Sequence, residues 1–140
     1  MEYLKQYSVL FKKARTDLRV SKNILQDFEN GDEELDLEVI MFHLQQCAEK
    51  LLKSLLAYNK HHFTKTHDIE KLILNLQKYK IKLIDDIDTL IPLSEYAVEG
   101  RYAIIHDDLE DAHRYIKILD IFSNFVGNEL SVKNKKNKKD

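Results

Sequence analysis

DLEVIMFHLQQCAEKLLKSLLAYN, residues 36–59, decides the fold class. Ile40, Leu44, Cys47, Ala48, Leu51 and Leu55 recur at three- and four-residue steps. At about 100° per residue that spacing gathers them into one apolar stripe of a helix. Phe42 lies near the opposite side of the same helix. A helix that is apolar on one broad face and aromatic on another sits centrally or packs against a second subunit.

Working outward, residues 3–30 repeat the pattern with Leu4, Tyr7, Leu10, Phe11, Ala14, Leu18, Ser21, Leu25 and Phe28. Asn30-Gly31 ends that helix, with the glycine free to take a left-handed cap. Seven acidic residues and no basic one lie between Asp27 and Glu38. The later ones fall where the second helix starts, and carboxylates suit that positive end. After a polar link from Lys60 to Lys65, Thr66 or Asp68 is placed to cap a third helix running to about Tyr79. Asp85, Asp86 and Asp88 can open a short helix, with Pro92 in its first turn or just outside. Ser94 to Arg101 reads as helical. Asp107-Asp108 then opens a last helix to about Leu130, with Ile116, Leu119, Phe122 and Val126 inward.

Composition agrees. Among 140 residues there are 3 Gly and 1 Pro, too few for the many turns of a sheet protein. The expectation is an all-α fold of four to five helices filling residues 1–132. Residues 133–140, KNKKNKKD, carry a charge of +4, leaving −6 on the rest. That low-complexity end is expected to be a disordered tail. One Cys excludes a disulfide framework and fits a reducing compartment. No apolar run approaches the ~18 residues of a membrane span, and the start has no signal-peptide layout, so no membrane contact and a cytoplasmic setting are expected. Phe42 and Phe122 do not both fit one small core comfortably, which points to a homodimer.

Three constellations bear on chemistry. His43, Gln46 and Lys50, spaced i, i+3, i+7, share one shoulder of the second helix, with Glu49 and Lys53 beside them. They form either a polar groove for an anionic or nucleotide ligand, with Lys50 and Lys53 for phosphate, or a solvated face with a Glu49–Lys53 pair. His67 beside Asp68 reads as a helix start. Neither His-x-x-x-His nor His-Glu-x-x-His occurs, nor does a Gly-rich phosphate loop, so no metal site and no cofactor are expected. The third stretch is EYAVEGRYAIIHDD, residues 95–108. A bend eased by Gly100 would bring Arg101 and His106 to one place. An always-charged Arg to hold phosphate and a titratable His to move protons are what metal-free RNA cleavage needs. The plainer alternative is a helix-end Arg and a partly exposed His.

FHLQQCAEKLLKSLL (42–56), KTHDIEKL (65–72) and YAVEGRYA (96–103), in that order, resemble the HEPN domain family, named for higher eukaryotes and prokaryotes nucleotide-binding. The likeness covers about residues 5–127. It implies an up-and-down helical bundle that pairs as a homodimer, like the C-terminal helical domain of some nucleotidyltransferases. It also implies a nucleotide or RNA ligand and, for small stand-alone members, a minimal nucleotidyltransferase partner in a toxin–antitoxin-like pair. Active HEPN ribonucleases carry Arg, four to six residues, then His, and Arg101 to His106 matches that length. Tyr102 stands where active members carry Asn, His or Asp, and Asp108 stands where toxin members often carry Tyr. Two functions follow. One is a metal-independent endoribonuclease of toxin type with Arg101 and His106 catalytic. The other is a non-catalytic module partnering a nucleotidyltransferase.

Overall fold

The computed structural model describes residues 2–31, 34, 36–63, 65–97 and 107–138. They form α1 (Glu2–Glu29), α2 (Leu37–Tyr58), α3 (Ile69–Lys78), a 3-10 helix (Ile87–Tyr96) and α4 (Leu109–Lys138), with no strand among the described residues. No described helix is long and apolar enough to cross a membrane.

The helix starts are made locally. Asp36 accepts a hydrogen bond from the Val39 amide at 3.2 Å, and Asp68 accepts one from Lys71 at 3.3 Å. Such caps contribute about 0.5–2 kcal/mol. Thr66, the other candidate for the third helix, accepts from the Asp68 amide instead. At α4, Asp108 and Asp111 cap each other's backbone amides reciprocally, at 2.9 and 3.0 Å.

The ends of α2 and α3 repeat one device. Lys60 (φ 64°) donates to Ala57 O while His61 donates to Leu56 O. Lys80 (φ 59°) donates to Gln77 O while Ile81 donates to Leu76 O. Both are Schellman turns with a lysine at the left-handed position that usually holds glycine.

Side-chain pairs fix the directions. Along α1, Tyr7 meets Tyr58, Asp17 meets Lys50 and Ser21 meets Ile40, so α2 runs antiparallel to it. Lys22 meets Asp120 and Glu29 meets His113, so α4 runs antiparallel to α1 as well. Phe11 lies so close to Gly127 that an added Cβ would sit 3.2 Å from its ring. Helix α2 packs against all four other elements. The whole predicted stripe is buried, and Met41, Leu52 and Leu56 bury a second side of the helix. Phe122 is wholly buried within one chain, whereas Phe42 is partly buried, its ring edge-on beside His43.

Ser94–Tyr96 are helical, in the tighter 3-10 form, and positions 98–101 lie outside the described residues. The reason is a strict three-residue repeat: Ile87, Leu90, Leu93 and Tyr96 are all buried, and three residues per turn stacks them on one side. Helix α4 continues to Lys138, through six positions of the lysine-rich end. Extending an existing helix avoids the nucleation cost, and lysine is a good helix former at a C-terminal end.

Candidate functional site

His43, Gln46, Lys50 and Lys53 do share one shoulder of α2, and two buried carboxylates organise them. Asp17 comes from α1, where it sits among the buried residues Ala14, Leu18, Ser21 and Leu25. Its Oδ1 lies 2.9 Å from His43 Nδ1, and its Oδ2 accepts from Lys50 Nζ at 2.6 Å. Asp17 was invisible to helical spacing because its partners lie 26 and 33 residues away. The available signal was a lone acid on an otherwise apolar face.

Glu49 is the second carboxylate. Its Oε1 lies 2.7 Å from His67 Nδ1 and accepts from Gln45 Nε2 at 3.1 Å, and its Oε2 accepts from Lys53 Nζ at 3.1 Å. Gln46 Nε2 donates to Gln45 Oε1 at 2.7 Å, which ties the shoulder to this cluster. Burial pushes the Glu49 carboxyl up, but the bonds from His67 and Gln45 and the Lys53 charge outweigh it and hold the group below its ordinary range. Asp68 is the cap, as expected, while His67 reaches back to Glu49. No buried side-chain nitrogen or oxygen among the described residues lacks a hydrogen-bond partner. The expected i, i+4 pair of Glu49 and Lys53 is present, and both lysines are already bound to carboxylates. A phosphate arriving here would have to displace those carboxylates.

Arg101 and His106 lie outside the described residues. The chain on either side of them is held together: Tyr96 O–H donates to Asp107 Oδ2 at 2.7 Å. Burial pushes the Tyr96 phenol up, and the bond to Asp107 with its negative charge pushes it further. Asp107, Asp108, Glu110 and Asp111 make the return side acidic, relieved by Arg114, which bonds Asp111 at 3.0 Å. Among the described residues no three His, Cys, Asp or Glu side chains gather where they could hold a metal.

Comparison with known proteins finds a match to the HEPN domain family over residues 7–130. A solved structure described as an archaeal HEPN homologue aligns with a TM-score of 0.63 at 21% identity, covering 88% of this chain and 96% of that one. At that identity the likeness speaks for the fold. No curated protein matches the chain.

Proposed function

The chain belongs to the HEPN domain family, and from that premise we propose that it binds a nucleotide or RNA and cleaves RNA without a metal, using Arg101 and His106. The observation that supports this reading is the bond between Tyr96 and Asp107. It fixes both ends of the segment that carries the Arg-to-His motif. In the proposed reaction His106 moves a proton from the 2′-hydroxyl and to the leaving oxygen, and Arg101 holds the phosphate as charge develops on it. The 2′-oxygen attacks phosphorus, the 5′-oxygen leaves, and a 2′,3′-cyclic phosphate remains. A homodimer would bring two copies of the pair to one groove, in a cytoplasmic setting.

The test is cleavage of several RNAs in EDTA, with melting temperature measured on the same samples. His106→Ala should lower cleavage about 10²–10⁴-fold. Arg101→Ala should lower it about 10²–10³-fold. Both should leave melting nearly unchanged, and Arg101→Lys should not restore activity, because lysine lacks the planar fork. Sedimentation as a monomer at micromolar concentration would remove the shared groove.

A second reading has its own support. Tyr102 departs from the active pattern, and Asp107, Asp108, Glu110 and Asp111 set negative charge beside the motif, which opposes RNA phosphates. A wild-type protein without cleavage, together with a destabilised Arg101→Ala, would favour the non-catalytic module.

A further inference from the structure

The end of the bundle where α2 and α3 both stop carries a different surface. The two Schellman turns bring His61 and Tyr79 together, their rings parallel within 6° at a centroid distance of 3.6 Å. Tyr79 is 41% exposed, unusual for a large aromatic ring in so well buried a bundle. Four exposed lysines surround the rings: Lys60, Lys78, Lys80 and Lys82. Lys78 Nζ lies 5.7 Å from the Tyr79 ring centre. None of the four pairs with a carboxylate among the described residues, whereas Lys22, Lys50 and Lys53 each do.

Beside the stacked rings is a cavity of about 300 Å³ lined by Leu55, Tyr58, Tyr79, Lys80, Lys82 and Glu129, among others. That volume is at the low end for a ligand pocket. Leu55 and Ile81, two phenol rings and two ammonium groups suit a flat aromatic ring joined to a phosphate. Glu129 faces the same space and suits the hydroxyls of a sugar. Helix α4 passes Glu129 and continues nine residues to Lys138, about 14 Å further in the direction of this end. The acidic stretches, 27–38 and 107–111, flank the start of α2 and of α4, at the opposite end.

We propose that this lysine-rich end is a binding surface for single-stranded RNA, with a base stacking on the His61–Tyr79 pair and the flanking phosphates meeting Lys60, Lys80 and Lys82. The proposal rests on the reading that the chain binds RNA, and it uses neither Arg101 nor His106. Exposed aromatic rings set among unpaired cations are how single strands are held without sequence readout. An acidic protein surface would satisfy the lysines but gives the stacked rings no partner, so RNA is the better fit.

The experiment is fluorescence anisotropy with the full-length protein and a 2′-O-methyl oligouridine, which has no free 2′-hydroxyl and so keeps binding separate from cleavage. Lys80→Glu with Lys82→Glu should weaken binding at least tenfold and flatten the slope of log K against log salt by about 1.4 for two lost phosphate contacts. Tyr79→Ala should weaken it about fivefold or more. Lys65→Glu with Lys71→Glu makes the same charge change at the groove beside Leu74 and should stay within twofold of wild type. Lys80→Gly keeps folding separate from binding: it relieves the left-handed lysine, so it should melt no lower than wild type while binding more weakly. Equal losses from both charge-reversed pairs, or no loss from Lys80→Glu with Lys82→Glu, would overturn the proposal. So would loss of self-association without loss of RNA affinity, which would mark the surface as a dock for the acidic end of a second copy. A wild-type protein that binds no oligouridine overturns both this proposal and the RNA-binding reading beneath it.

Discussion

Asp17 decides whether the α2 shoulder is a ligand site or a structural joint. With the carboxylate buried between His43 and Lys50, removing the lysine leaves a negative charge in the interior with one partner fewer. Lys50→Ala should therefore lower stability by about 1–3 kcal/mol in urea unfolding. A merely solvated face predicts a change within about 0.5 kcal/mol. Asp17→Asn combined with Lys50→Met should recover much of the loss, because both halves of the charge pair go together. If RNA affinity falls in Lys50→Ala while stability holds, the shoulder binds ligand after all. Glu49 gives a pH test. Its folded carboxyl sits below the ordinary range, so its contribution is present above about pH 4.3 and fades as pH falls through the lower folded value. Glu49→Gln should lower the melting temperature near neutrality and flatten its decline between roughly pH 5 and 3. The Glu49–Lys53 pair was legible in the sequence because i, i+4 neighbours on a helix always face each other. Asp17 was not, because only the antiparallel packing of α1 on α2 brings it there.

At the scale of elements, α1, α2, α3 and α4 were readable because each has an apolar rhythm, and α2, α3 and α4 also carry an acid able to cap their first turn. The segment between α3 and α4 was harder. Ile87, Leu90, Leu93 and Tyr96 repeat every third residue, a rhythm that falls between the templates for helix and strand and belongs to a 3-10 turn. The Schellman turns were also hidden, because the usual sign is glycine and both positions hold lysine. A left-handed non-glycine residue costs roughly 1–2 kcal/mol. Lys60→Gly and Lys80→Gly should each raise the melting temperature, by about 2–5 °C, with helix content by circular dichroism unchanged. A fall instead would mean that the lysine side chains stabilise the helix ends by more than the backbone strain they impose.

For the molecule as a whole, charge is divided along the bundle axis. Asp107, Asp108, Glu110 and Asp111 lie at one end, while the stacked rings and free lysines occupy the other. The net charge of −2 conceals that division. Composition alone therefore gave no view of it. Only the directions of α2 and α4, both leading toward the lysines, make it visible.

The core position of Cys47 has a practical consequence. It is the one thiol in the chain, it is wholly inaccessible, and burial pushes its ionisation far above the ordinary thiol range. A thiol-reactive dye can therefore reach it only when the bundle opens, so labelling runs as a clock for opening. Anything that binds the closed form slows that clock by the factor 1 + [L]/Kd, about elevenfold at ten times Kd. Timed labelling across nucleotides and short RNAs should pick out the bound chemical class without assuming where it binds. A Cys47 that labels at the rate of a free thiol would show that the helices around it part far more readily than their packing implies.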